Sequence, residues 1–361
     1  MCGLARCGGH NGCIHVTVHI EEDSVSSPSE RARVPSIRDV ARLAGVSHQT
    51  VSRVLNDHPS IRPETKARVL DAISVLDYRP NVAARALATS RSNTLGVLSA
   101  TIGEFGPTSS MASIEDAARA QGYAVSTLNL PATTPEAIGQ AVRQLVSEKV
   151  DGLVVLAPQV RVFNVLRGMA VSVPFVSLQT ASGSDGISLS ADQVAGARMI
   201  TEYLIRLGHT DILHLAGPQD WIEAESRMRG YLDALREADL PTFPPIRGDW
   251  TADFGYFVGQ ELARRRDFTA VFAANDVMAI GLMHGFRDAG LRVPADISVV
   301  GFDDVPVAAH VAPPLTTVHQ DFPELGRRAV QILLAEIRGE ETPSFGPVVP
   351  VLCGRESAAS R

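Results

Sequence analysis

Residues 36–56, SIRDVARLAGVSHQTVSRVLN, decide the reading of this chain: a helix, a sharp turn and a second short helix. Ser36 caps the first helix on this reading, and Asp39, three residues on, closes a capping box. Ile37, Val40, Ala41 and Ala44 share one helical face. Gly45 breaks the helix where the chain must turn. Ser47 then caps the second helix, ahead of Thr50 and Val51. Such a unit buries Val40, Ala41, Val46, Val51 and Leu55 and turns His48, Gln49, Ser52 and Arg53 outward. Polar side chains on an exposed helix suit base edges in a DNA major groove, which the second helix of this motif enters. The plain alternative is a surface helix in some other helical domain.

A third amphipathic helix is expected from Pro63 to Leu76. Pro63 tolerates the first helical position, and Val69, Leu70, Ile73 and Leu76 recur at helical spacing to close a three-helix core. Pro80 stops it, and the small-residue run 82–88, VAARALA, follows. That run has helix propensity but only about two turns, too few to stand alone. It reads as a segment that folds on DNA and a partner chain, or as a plain linker.

The run DVARLAGVSHQTVSRVLN followed by YRPNVAARALA resembles the lactose-repressor (LacI/GalR) family of bacterial transcription regulators. The resemblance extends from about Pro35 to Gly339 through HLAGP (214–218), GDW (248–250), AND (274–276), ADISVVGFDD (295–304) and PPLTTVHQDFPELG (313–326). It implies a hinge helix in the minor groove of a palindromic operator, with Leu87 as an apolar wedge and Ala84 one turn before it. The expected DNA-contact set is then Ser36, Ser47, His48, Gln49, Thr50, Ser52, Arg53, Asn56, Asn81, Ala84 and Leu87.

Charge divides the chain in the same way. Residues 35–93 carry nine Arg and Lys against five Asp and Glu, while the whole chain is −7. A basic head on an acidic body is expected when only one end meets phosphate. From Thr94 on, short apolar runs such as LGVLSA, VDGLVVLA, DILHLAG and AVFAAND alternate with helical stretches. That alternation predicts an α/β body with parallel sheets. The family resemblance adds that the body is two such subdomains, like a periplasmic sugar-binding protein. The expected organisation is a disordered tail over 1–34, a helix-turn-helix head over 35–79, a hinge over 80–93, and an effector-binding and dimerisation body over 94–361.

Polar residues at the ends of apolar strands mark the ligand cleft, because they are costly there unless they meet a ligand. Asn275 and Asp276 end AVFAAND, and Asp303 and Asp304 end VVGFDD. Helix capping is the competing explanation; Asp276 and Asp304 are assigned the structural roles. Trp250 supplies an indole that can cover the apolar face of a sugar, and Arg227 a donor for hydroxyls. By resemblance the effector ligands are Arg227, Trp250, Asn275, Asp303, Gln320 and Phe322, with Thr108 and Glu223 as further matches. Departures from the family's namesake are Gln179 and Ala132 in place of charged residues, Trp221 and Glu223 in place of small ones, and His48 in place of a tyrosine.

No stretch is apolar for long enough to span a membrane, and residues 1–34 lack the apolar core of a secretion signal. Cys2, Cys7 and Cys13 lie among His10, His15 and His19, but their spacing fits no zinc pattern, so no metal or cofactor is expected. With Cys353 the only other cysteine, a reduced cytoplasm is the natural setting. No nucleophile elbow, phosphate loop or HExxH array points to an enzyme. A homodimer is expected, since no leucine heptad follows Gly339. The expectation is therefore a DNA-binding repressor of carbohydrate-utilisation genes, released by a sugar or glycoside. Its alternatives are a regulator answering a non-sugar effector and a sugar-binding transport protein.

Overall fold

The structure, a computed structural model, describes residues 35–55, 58, 60–78, 91–100, 103–178, 188–265 and 267–361. The expected tail, most of the hinge including Asn81, Ala84 and Leu87, and also Asn56 and Gln179, lie outside the described residues. The chain forms two compact units, dividing at Asn81 and Val82.

The first unit is three helices: α1 (Ile37–Ala44), α2 (His48–Leu55) and α3 (Pro63–Val75). The Asp39 carboxylate accepts from the Ser36 amide at 2.9 Å and from its hydroxyl at 2.6 Å, fixing the start of α1. Gly45 ends it with φ at 64°, a left-handed conformation that an L side chain resists. The Ser47 hydroxyl then accepts the Thr50 amide at 3.1 Å and starts α2. Val40, Ala41, Ala44, Val51, Val54, Val69 and Ala72 make the core. Two expectations are corrected here. Val46 and Leu55 are only half-buried, and Leu70 is 49% exposed. Leu70 sits one residue past the fully buried Val69, about 100° around the helix and off the core stripe.

In the second unit, β1 (Thr94–Ser99), β2 (Ala124–Asn129), β3 (Gly152–Leu156), β4 (Phe175–Leu178) and β5 (Ser188–Leu189) form a parallel sheet in the order β2-β1-β3-β4-β5. Helices α4 (Phe105–Ala120), α5 (Pro135–Ser147) and α6 (Val160–Arg167) accompany it. A second parallel sheet, in the order β7-β6-β8-β9, holds β6 (Ile212–Ala216), β7 (Ile246–Arg247), β8 (Ala270–Ala273) and β9 (Ser298–Val300). Its helices are α7 (Gln193–Arg206), α8 (Ile222–Glu237), α9 (Ala252–Leu262) and α10 (Asp276–Asp288). Then β10 (Thr317–His319) pairs antiparallel with β11 (Val351–Cys353). Between them α11 (Phe322–Arg338) returns to the first sheet, where Leu325, Ala329 and Leu333 pack with Leu95, Val97 and Val154. The chain therefore crosses between the subdomains more than once.

Residues after Gly354 are built into the second subdomain. The Ser357 hydroxyl donates to the Val299 carbonyl at 2.6 Å and accepts the Thr316 amide at 2.8 Å, and the Ala359 amide donates to Ser298 Oγ at 3.1 Å. Among the described residues, no helix is long and apolar enough to cross a membrane.

Candidate functional site: a polar helix and an interdomain cleft

On the head, α2 presents the polar face that its spacing predicts. His48, Gln49 and Arg53 are exposed, while Thr50 and Ser52 are half-buried on the same helix. Ser47 is exposed and holds the Thr50 amide, and Ser36 is committed to Asp39. Val51 and Val54 anchor the opposite face of α2 in the core.

In the body, seven of the eight expected effector residues line one narrow cleft: Glu223, Arg227, Trp250, Asn275, Asp303, Gln320 and Phe322. They come from the segments after the strands and from the first two turns of α8 and the start of α11, where open α/β sheets bind ligands. Thr108 is a correction. It is exposed, almost a turn further along α4, and the cleft is met instead by Glu104, Phe105 and Pro107.

The polar floor is a closed ring. Arg227 donates to Asp303 Oδ1 at 3.1 Å and to Gln193 Oε1 at 2.9 Å, and also to the Ala274 carbonyl. Gln193 donates to Gln320 Oε1 at 2.6 Å, and Gln320 donates back to Asp303 Oδ1 at 2.7 Å. Arg227 and Asp303 are both buried, so neither charge is tolerable without the other. Burial pushes the Asp303 carboxyl up, and Arg227 and Gln320 oppose it. Asp303 Oδ2 takes no part in the ring bonds and is the acceptor left for a ligand.

Aromatic rings wall the site. Trp221 meets Trp250 edge-on at 5.4 Å between centroids, and Phe105 meets Phe322 edge-on at 5.8 Å. The Arg227 guanidinium lies 5.7 Å from the Trp250 ring centre and 4.0 Å from that of Phe302. A Cβ at Gly217 would run into the Trp250 indole, so glycine there makes room for it. Trp250 Nε1, Glu104 Oε2 and both carboxyl oxygens of Glu223 are buried without a hydrogen-bond partner.

The pairs at the strand ends divide their work differently from the sequence reading. Asp276 and Asp304 are structural as expected. Asp276 accepts the Thr317 hydroxyl at 2.5 Å and the Val305 amide at 2.8 Å, and Asp304 pairs with Arg355 and His319. The helix cap, however, is Asn275. Its Oδ1 accepts the Met278 amide at 2.9 Å and its Nδ2 donates to the Trp250 carbonyl at 3.1 Å, leaving little more than one N–H for a ligand. Sequence reading missed Glu104, Phe105 and Gln193. Gln193 had a signal, since it opens a helix right after the short ISLS run, but Glu104 and Phe105 sit in a loop-like stretch without one. The cysteine and histidine group near the start lies outside the described residues.

A family model described as "Bacterial regulatory proteins, lacI family" matches residues 36–81, and one described as "Periplasmic binding protein-like domain" matches 201–358. The chain is 34% identical to the lactose operon repressor of Escherichia coli (strain K12), over 84% of this chain and 85% of that one. It is 32% identical to the transcriptional repressor PurR of Haemophilus influenzae (strain PittEE), over 90% of this chain and 99% of that one. This chain belongs to the LacI family of bacterial regulators. The crystal structure of the lac repressor dimer bound to operator and the anti-inducer ONPF matches it with a TM-score of 0.83 at 32% identity, covering 91% of this chain and 100% of the other. The complex of the regulator CelR with cellobiose matches at a TM-score of 0.67 and 30% identity, covering 90% and 100%. As a LacI-family member the chain is a DNA-binding transcriptional regulator with a helix-turn-helix head and a two-subdomain, periplasmic-binding-protein-like body.

Proposed function

We propose that this regulator represses carbohydrate-utilisation genes in the cytoplasm and is released by a sugar or glycoside bound in the cleft. One observation carries the reading: the Arg227–Asp303–Gln320–Gln193 ring leaves a buried, oriented acceptor beside the Trp221 and Trp250 indoles. Sugars offer hydroxyl pairs to such acceptors and a C–H face to such rings. In this reading Arg227, Trp250, Asn275, Asp303, Gln320 and Phe322 hold the effector, and Thr108 has no part. A homodimer reads a palindromic operator, with Gln49 and Arg53 on base edges and His48 altering the half-site. Leu87 and Ala84 carry the hinge, within residues 80–93, into the minor groove.

Relatives named PurR favour a second reading, a purine effector. The aromatic geometry weighs against it. Both ring pairs at the cleft are edge-on and already in contact, so neither leaves a parallel slot for a flat base.

The test is a pair of titrations on wild type and Asp303→Ala: operator by fluorescence anisotropy, and sugars by calorimetry. By linkage, sugar weakens operator binding and operator weakens sugar binding by the same factor. Asp303→Ala should keep operator affinity and lose release by sugar. Release of operator from Asp303→Ala at the wild-type sugar concentration would overturn the cleft assignment.

A further inference from the structure

The cleft holds a carboxyl group that no other residue satisfies. Glu223 is 5% exposed, in the first turn of α8, and no other residue donates a hydrogen bond to either oxygen. Arg227, one turn on, makes no hydrogen bond to it; three of its five N–H groups go to Asp303, Gln193 and the Ala274 carbonyl. Glu104 Oε2 and Trp250 Nε1 open on the same cleft, also without partners. With Arg227 and Asp303 matched to each other, the fully buried lining atoms without a partner are the two Glu223 carboxyl oxygens, Glu104 Oε2 and Trp250 Nε1. A helix N-terminus ordinarily welcomes a ligand's phosphate or carboxylate. Here Glu223 already occupies that place with its own acid.

We propose that Glu223 selects the effector: it accepts hydrogen bonds from a donor pair on an uncharged or cationic glycoside, and the lining around it, where Arg227 is already paired with Asp303, offers no counter-charge to phosphorylated or carboxylated sugars. This rests on the sugar reading above. Two sources supply the donor pair, the adjacent hydroxyls of a neutral sugar or the ammonium of an amino sugar. The groups facing Glu223 are Arg227 and Asp303, with Glu104 elsewhere on the lining. Burial raises the Glu223 carboxyl to about 8, and its own backbone amide and Arg227 offset this only in part. In the empty site at neutral pH the group is therefore largely protonated. A docking ammonium expels that proton, whereas hydroxyls also bond to the protonated form.

The experiment uses the full chain as wild type, Glu223→Gln and Glu223→Ser. Cellobiose, lactose, glucosamine, glucose 6-phosphate and glucuronate are titrated by calorimetry in two buffers of different ionisation enthalpy, with hypoxanthine and guanine alongside. Wild type should bind a neutral or amino sugar and neither anionic one. Glu223→Ser should bind that same sugar about tenfold more weakly, the size expected for losing one or two hydrogen bonds. Release of close to one proton per ligand identifies the ammonium, and a small release identifies hydroxyls. Matching thermal melts at pH 6.5 show that the variants fold. Equal affinity of wild type and Glu223→Ser for one sugar overturns this inference alone, as does glucose 6-phosphate binding as tightly as the neutral sugars. Purine binding without any sugar binding overturns the sugar reading and this inference with it.

Discussion

Arg53 shows how much one residue can decide. It stands in the last turn of α2, exposed, while Val51 and Val54 hold the helix from behind. A guanidinium so placed either pairs with a guanine edge or sits on phosphate, and the two differ in consequence. For base readout, Arg53→Ala costs about 1–3 kcal/mol on the operator and relaxes preference at one base pair. Anisotropy on operator and on random duplex separates the cases, since equal weakening on both would assign Arg53 to phosphate. In the cleft, reading from strand ends marked Asp276 and Asp304 as structural, and both hold neighbouring groups; it gave the capping role to Asp276, whereas Asn275 caps α10. Thr108 came from the family resemblance alone, and it is exposed and off the cleft lining.

At the scale of elements, the crossing of α9 and α10 depends on glycines rather than on large apolar side chains. Gly255 and Gly259 on α9 face Gly281 and Gly285 on α10, and a Cβ at any of them would press on the partner helix backbone. The helices therefore approach closer than ordinary side chains allow. Gly285→Ala would drive its methyl into the Tyr256 carbonyl and separate the pair. We expect a loss of roughly 1–3 kcal/mol, typical of overpacking, although alanine is the better helix former. Urea unfolding measures it, and a stability gain instead would show that the helices part freely. Because Asn275 caps α10 and also holds the Trp250 carbonyl, parting these helices should weaken sugar binding too.

The whole molecule carries a pH dependence with opposing contributions. His214 is fully buried between Tyr231 and Phe272, its Nδ1 2.9 Å from the Phe272 carbonyl. Burial lowers it to about 4 from an ordinary 6.5. The unfolded chain then binds the proton more readily, so this contribution to stability is lost as pH falls from about 6.5 toward 4. Glu223 works in the other direction. Its folded value of about 8 lies above the ordinary 4.5, so the native state holds the extra proton and stability falls as pH rises between them. Asp276, raised by burial to about 8, adds to that fall. Between about 6.5 and 8 only the carboxyl contributions remain, so wild type should lose stability across that window and Glu223→Gln should lose less. Denaturant midpoints at pH 6.5 and 8 measure this; parallel changes in both proteins would contradict it.

The sequence alone determined the helix-turn-helix head and the β–α alternation of the body, because caps, turn glycines and apolar periodicity act within a few residues of each other. It also marked Asp303 and Trp250, since polar and aromatic groups where strands end carry their cost locally, while Arg227 came from the family resemblance. What only the tertiary structure decided was which groups meet. The ring through Gln193 and Gln320 joins positions 127 residues apart, and the burial of Ser357 follows from where residues after Gly354 pass beside β9. Neither has a local signal, because each becomes favourable only once the subdomains have folded and removed water from around the unpaired groups.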